Sequence, residues 1–373
     1  MLYIHIPYCH RKCTYCAFYS TPMNAGKDEY VQALCTEMRQ RRSELNHPIR
    51  TIYFGGGTPT ILTPSQLQTL VTYIRTHFDL SQIEEVTIEA NPEDLTPENL
   101  RQLARLQFFN RISIGVQSFQ DTQLRLLNRS HTARQAINAI SCAYESGFGN
   151  ISIDLIYGQP RQTLADWAHD LETLRQLGSR VKHLSAYALT LEPGTMLYTQ
   201  LKKGLIELPP EELVMQQYDL LQQSAHELGY HQYEISSYCQ SGYHSRHNSR
   251  YWDRTPYVGI GAAAHSFDGH SRRWNVSDIR TYIQALNGSS FYYEIEQLTP
   301  RDAFNEYLMT SLRTTAGISL AYISATWPQY LSYLQQKSRK YLQAGHLVST
   351  PTALQPTPQG LLHADGIAAD LFL

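Results

Sequence analysis

The chain has 373 residues, 42% of them hydrophobic and 17% charged, and 31 lysines and arginines against 33 acids leave a formal charge of −2. Such proportions describe a globular protein with a large core and room for a second, small domain, and they leave no basic field to attract nucleic acid. No window reaches the ~18 apolar residues of a transmembrane helix, and strand-like sequence begins too early for a secretory signal. A cytoplasmic protein is expected.

From residue 2 to about residue 190 one unit recurs: a β-branched or aromatic run, a loop, then apolar residues at helical spacing. The runs are LYIHI (2–6), TIYF (51–54), EVTIEA (85–90), RISIGVQ (111–117), ISIDLIYG (151–158) and HLSAYAL (183–189). Between them, Leu67, Leu70, Val71, Ile74 and Phe78 share one helical face, as do Ala133, Ala136, Ile137, Ile140 and Tyr144. Thr63 with Pro64, and Thr132, read as the starts of those helices. Six βα units imply a parallel sheet, either doubly wound or a full or partial barrel, with functional groups at the carboxyl ends of the strands. After residue 205 the alternation loosens. A helix pattern over 209–230 leads to YEISSY and then to a loop-rich stretch, SGYHSRHNSRYWDRTPYVGIGAAAHS. From about residue 297, Phe304, Leu308 and Leu312 form a helical stripe, a second helix stops at Gly345, and the Pro- and Thr-rich tail suggests a β-hairpin. The expected division is 1–205, 206–296 and a small, mostly helical, winged-helix-like domain over 297–373.

Three of the six cysteines, Cys9, Cys13 and Cys16, fall within eight residues directly after the first strand. In a reducing compartment this clustering points to metal or redox chemistry, whereas Cys35, Cys142 and Cys239 are scattered and read as small core residues. Thiolates suit zinc or iron–sulfur clusters. Zinc needs a fourth ligand, which His5 or His10 could supply; a four-iron cubane held by three cysteines keeps one iron open. After the second strand, GGGTPT (55–60) allows close backbone approach to a ligand but lacks the ending of a phosphate loop.

CHRKCTYC, with Tyr15 before its last cysteine, resembles the C-x3-C-x2-C signature of radical S-adenosylmethionine (SAM) proteins. Glu89 in IEANPED, Gln117 in GVQSF, Arg129 in LLNRSH and Asp154 in SIDLIYGQP are similar in order and spacing to the coproporphyrinogen-oxidase-like branch of that family. The resemblance implies a partial (β/α)6 TIM-type barrel. It implies a 4Fe–4S cluster on Cys9, Cys13 and Cys16, whose open iron takes the amino and carboxylate groups of SAM. Gly56, Gly57, Thr58 and Glu89 then belong to the amino group, Arg129 to the carboxylate, Gln117 and Asp154 to the ribose, and Ala188 to the adenine, with Tyr3 and Tyr15 at the same site.

That branch holds decarboxylating coproporphyrinogen III oxidases and heme chaperones. The oxidases carry a further cysteine where this chain has Phe18, and a longer N-terminal segment where only eight residues precede Cys9. HNSRYW (247–252) is similar to a pattern of the chaperones, which implies His247 as a heme ligand with Tyr251 and Trp252 beside the porphyrin. The expectation is a heme chaperone with cluster and SAM that hands heme to acceptor proteins. It has no nucleic-acid partner, peripheral rather than spanning membrane contact if any, and a monomeric or homodimeric state. An oxidase and a zinc-stabilised interaction protein are the alternatives.

Overall fold

The computed structural model describes residues 1–22, 25–288 and 291–373. Six strands, β1 (Leu2–Ile6), β2 (Thr51–Gly56), β3 (Glu85–Ala90), β4 (Arg111–Gln117), β5 (Ile151–Tyr157) and β6 (His183–Ala188), lie side by side in chain order and all parallel. Their intervening helices start as the sequence suggests: Thr63 and Thr132 each close a capping box, with Gln66 and Gln135 respectively. The sheet extends past β6 through β7 (His231–Gln232) and β8 (Ser237–Cys239), with β8 between them. At the other end β9 (Val258–Ile260) runs parallel to β1. With β7 and β9 as distinct edges, the barrel is partial.

Strand alternation sorts the side chains into two kinds. Leu2, Ile4, Ile6, Ile52, Phe54, Ile88, Ile112, Ile114 and Ile153 are fully buried on one face, where the helices pack. The opposite, concave face carries Tyr3 and His5, Tyr53 and Gly55, Thr87 and Glu89, Arg111 and Ser113, Ser152 and Asp154, His183 and Ser185, aligned by the registers of neighbouring strands. A barrel with a polar inner face is built to hold a polar ligand rather than to serve as its own core.

The stretch expected to be loop-rich is more ordered than its composition suggests. HNSRYW lies within the helix Arg246–Trp252, and VGI is the strand β9. The chain then folds into an antiparallel sheet of β10 (His265–Phe267), β11 (Ser271–Asn275) and β12 (Tyr293–Gln297), tied to the barrel by the Tyr257–Phe267 bridge. Beyond it, helices Pro300–Leu312, Leu320–Thr326 and Leu331–Gln343 surround a small sheet in which Ala353–Pro356 pairs with both Ile318–Ser319 and Leu347–Ser349, and Leu347–Ser349 with Ala353–Pro356 forms the expected hairpin. Phe304, Leu308, Leu312, Ile323 and Leu334 form its own core. Gly345 ends the third helix at φ 75°. Residues 358–362 and 364–371 add two further helices that the tail composition did not announce.

Candidate cofactor site

The cysteine loop follows β1 at the carboxyl end of the barrel. Its backbone is fastened by Cys9 N–H to Thr21 O and by Thr14 N–H to Leu127 O, at 3.0 and 3.1 Å. A chain of contacts then links the outer two functional loops. Thr58 Oγ1 lies 3.7 Å from Cys9 Sγ; Asn91 Nδ2 donates to Thr58 Oγ1 at 3.0 Å; Arg129 Nη2 donates to Asn91 Oδ1 at 2.5 Å and to Gly115 O at 2.6 Å; and Arg129 Nη1 lies 3.4 Å from Cys13 Sγ. Strand ends that are distant in sequence thereby converge on the thiols. Gly57 is required here on steric grounds, because a Cβ would come within 2.5 Å of Tyr8 O and 2.9 Å of Cys9 Sγ.

Glu89, at the end of β3, accepts from Tyr53 Oη at 2.8 Å and from Gly56 N–H at 3.1 Å. Burial pushes its carboxyl up to about 7, and the neighbouring Asp154 adds to the rise. Asp154 is itself pushed up by burial, to about 6, against the pull of Ser185 and Arg111. The two desolvated acids stand on the same concave face, on β3 and β5 with β4 between them. Gln117 stands at φ 69°, where the register of β4 on β5 shifts, and is buried. Tyr15 is half-buried close to Arg129, Cys13, Cys16 and Asp154. Tyr3 donates or accepts through its hydroxyl with His5 Nδ1 at 2.9 Å and stacks on Tyr53, with centroids 6.2 Å apart. Ala188, the last residue of β6, is exposed.

His247 is not among them. Its helix lies beneath the opposite, amino end of the strands, with the N–H groups of Arg246 and His247 bonded to the Glu85 carboxylate at 2.8 and 3.1 Å. The imidazole is fully buried, Nδ1 bonded with Thr51 Oγ1 at 2.9 Å and Nε2 with Tyr251 Oη at 3.1 Å. Burial depresses its pKa to about 3. The expected heme ligand is thus a plug in the barrel floor with both nitrogens occupied.

The residues around the thiols fit the groups that the motif implies. Arg129 carries a buried Nε with no partner among the described residues, as a guanidinium held for a carboxylate does, and Glu89 with Gly56 and Gly57 offers a cradle for the N–H bonds of an amino group. Burial pushes the Cys9 and Cys16 thiols up, so a bound metal must supply the charge that keeps them as thiolates. No three Cys, His, Asp or Glu side chains among the described residues converge to hold a single ion; a cubane in which three separate irons would each take one thiolate needs no such convergence. The two histidines that could complete a zinc site are both engaged. His10 Nε2 meets Asp94 Oδ1 at 2.6 Å, and His5, 5% exposed, bonds with Tyr3 and with Tyr19 O.

Tyr53, Asn91 and Gly115 belong to this arrangement although they are not among the expected site residues, and His5 enters it as the partner of Tyr3 rather than as a zinc ligand. Strand alternation could have found Tyr53 and His5, which share a face with Gly55 and Tyr3, and Asn91 sits inside the IEANPED motif already noted.

Comparison with known proteins agrees with this geometry. Residues 3–174 match the family described as the radical SAM superfamily, and residues 298–363 match the HemN C-terminal domain. A protein of Bacillus subtilis named heme chaperone HemW is 36% identical over 365 residues, covering 96% of this chain and 96% of that one. The chain belongs to the HemW family of radical SAM proteins. A HemW of Mycobacterium tuberculosis is 33% identical over 99% of this chain and 94% of its own length. The mitochondrial radical S-adenosyl methionine domain-containing protein 1 of Bos taurus is 30% identical over 99% and 86%. The solved coproporphyrinogen III oxidase HemN of Escherichia coli superposes with a TM-score of 0.84, covering all of this chain and 89% of that chain, at 24% identity. That likeness establishes the fold, a radical SAM barrel with a mostly helical C-terminal region.

Proposed function

We propose that this protein is a heme chaperone. It holds a 4Fe–4S cluster on Cys9, Cys13 and Cys16 and SAM beside it, and it passes heme to acceptor proteins. The observation that carries the reading is the 36% identity, over 96% of both chains, to a protein named for that role. Arg129 is the residue for the SAM carboxylate, Glu89 with Gly56, Gly57 and Thr58 for its amino group, Gln117 and Asp154 for the ribose, and Tyr3, Tyr15 and Ala188 for the rest of the pocket. When bound, the cluster and SAM together supply one-electron reductive cleavage of a sulfonium. The protein's share is to desolvate the site, orient the two charged ends of SAM by Glu89 and Arg129, and keep Asp154 ionised beside Arg111.

The second reading, oxidative decarboxylation of coproporphyrinogen III, is favoured by that same intact constellation. Against it stands Phe18, 72% exposed beside the cysteine loop at the position of the oxidases' further cysteine. Anaerobically reconstituted protein should carry close to four irons and four sulfides per chain, bind hemin, and leave coproporphyrinogen III unconverted. Rapid conversion of that substrate on the same sample would replace the chaperone reading with the oxidase one. No helix among the described residues is long and apolar enough to cross a membrane. We place the protein in the cytoplasm as a monomer or homodimer, with peripheral contact where acceptors are membrane-bound.

A further inference from the structure

Gln117, the residue proposed for the ribose, ends β4 in left-handed backbone at φ 69°, a conformation that a residue with a Cβ disfavours. The ladder alone does not set it, because the register of β4 on β5 shifts between Ile114 and Gln117. Yet the amide is aimed at the site. A Cβ on Gly115 would come within 3.0 Å of Gln117 Nε2, 3.3 Å of Arg129 Nη2 and 3.4 Å of Asn91 Oδ1, so these three groups crowd one spot. Contacts from outside the strand must fix the backbone there.

The chain is gripped on both sides of Gln117. Before it, Val116 O accepts from His131 Nε2 at 3.0 Å. After it, both grips come from one carboxylate. Asp170, in the helix Leu164–Leu177, accepts from Ser118 Oγ at 2.8 Å on Oδ2 and from Phe119 N–H at 2.7 Å on Oδ1. Asp170 and Ser118 have no exposed surface, and Phe119 is buried with them. Burial pushes the Asp170 carboxyl up to about 7, the mark of an acid that is costly to keep away from water. Among the described residues its hydrogen bonds go to the two residues after Gln117 and nowhere else.

We propose that Asp170 is a positioning residue for the ribose end of SAM: by tying residues 118 and 119 to an outer helix, it holds Gln117 in left-handed backbone with its amide facing the pocket. The inference rests on the SAM reading of the site. Asp170 bonds to nothing in the cysteine loop and to neither Glu89 nor Arg129, so its influence is confined to one end of the ligand. His131 offers no such separation. It follows Arg129 closely in the chain and also meets Glu93 Oε2 at 3.3 Å, so changing it would disturb the carboxylate end as well.

The full chain, reconstituted anaerobically with its cluster, is compared with Asp170→Ala, Gln117→Ala and the double variant by equilibrium dialysis against SAM. Each single substitution should weaken SAM binding at least ~10-fold and leave the iron content unchanged. The double variant should bind no more weakly than Gln117→Ala alone, because a residue that acts through Gln117 has nothing left to position. Asp170→Asn, whose Oδ1 can still accept from Phe119 N–H, should return the affinity to within about threefold of wild type. Should Asp170→Ala fail to fold, Ser118→Ala, which removes one of the two bonds and keeps the acid, takes its place in the same cycle with a smaller loss expected. Losses that add in the double variant, or a SAM affinity left unchanged by the substitution at either position, would overturn the assignment while leaving the SAM reading in place. Wild-type protein that carries its cluster and binds no SAM would overturn that reading itself.

Discussion

Glu89 shows how burial sets the charge state of a single side chain. Its carboxyl is displaced from the ordinary 4.5 to about 7, chiefly by burial. The sign of the consequence is fixed by linkage: the group is neutral in both folded and unfolded chains below pH 4.5, and between 4.5 and 7 only the unfolded chain ionises. The destabilisation therefore grows through that window and is complete above 7. Glu89→Gln should accordingly stabilise the ligand-free protein by on the order of 2 kcal/mol at pH 8 and by almost nothing at pH 4, read as the difference between two melting curves. An amino group that donates its N–H bonds to the Glu89 carboxylate reverses the preference. SAM binding should tighten as pH rises through about 7, and Glu89→Gln should weaken it at least ~10-fold while flattening that pH dependence. A substitution that left both the affinity and its pH profile alone would remove Glu89 from the site. His247 makes the opposite kind of residue-scale statement. His247→Ala orphans Thr51 and Tyr251 in a dry floor and opens a cavity, at a cost of about 2–4 kcal/mol, yet reconstituted iron content should not change, because the floor and the cysteine loop lie at opposite ends of the strands.

At the scale of elements, the loop after β2 and the loop after β1 are made for each other through an absent atom. A Cβ on Gly57 would press on the Tyr8 carbonyl and the Cys9 sulfur, backbone on one side and a ligand on the other, so neither can yield cheaply. Gly57→Ala is expected to displace Cys9 and to reconstitute with clearly fewer than four irons per chain, whereas Thr63→Ala, which only opens a helix cap, should cost about 1 kcal/mol and leave the cluster whole. The same contrast explains what could be read in advance. Parallel βα repeats announce themselves by period and caps, and topology puts Cys9, Gly57, Glu89 and Gln117 at or just after strand ends, whereas Arg129, which follows the helix Asp121–Leu126, was legible only through the family resemblance. HNSRYW was legible as a pattern and misleading as a place. Its seven-residue helix owes its position to Glu85, 162 residues away in sequence, and no local signal carries a contact of that range. The strand β9 is three residues long, too short for a hydrophobic period to be told from a loop.

Across the whole molecule, the β10–β12 sheet is secured by a buried acid in the first helix. Glu37, with no exposed surface, accepts on Oε1 from Arg41 at 3.2 Å and Asn275 at 2.8 Å, and on Oε2 from Gly261 N–H at 2.8 Å and Tyr282 Oη at 2.5 Å. Four donors, from Arg41 just past the helix Lys27–Gln40, the turn after β9, β11 and the helix Ile279–Asn287, thus meet on one carboxylate, which binds the β10–β12 sheet to the barrel wall. Removing one partner of such a network leaves the others buried and unmet, a far larger loss than a surface ion pair would incur. Glu37→Ala should cost roughly 3–5 kcal/mol. Glu37→Gln keeps the shape but turns one acceptor oxygen into a donor facing two donors, so it should still destabilise by about 1–3 kcal/mol. The loss should be local before it is global: amide exchange at 261–275 should accelerate while β2 to β5 stay protected. If instead exchange rose uniformly along the chain, Glu37 would be an ordinary core residue of one cooperative unit, and the β10–β12 sheet would have no opening of its own.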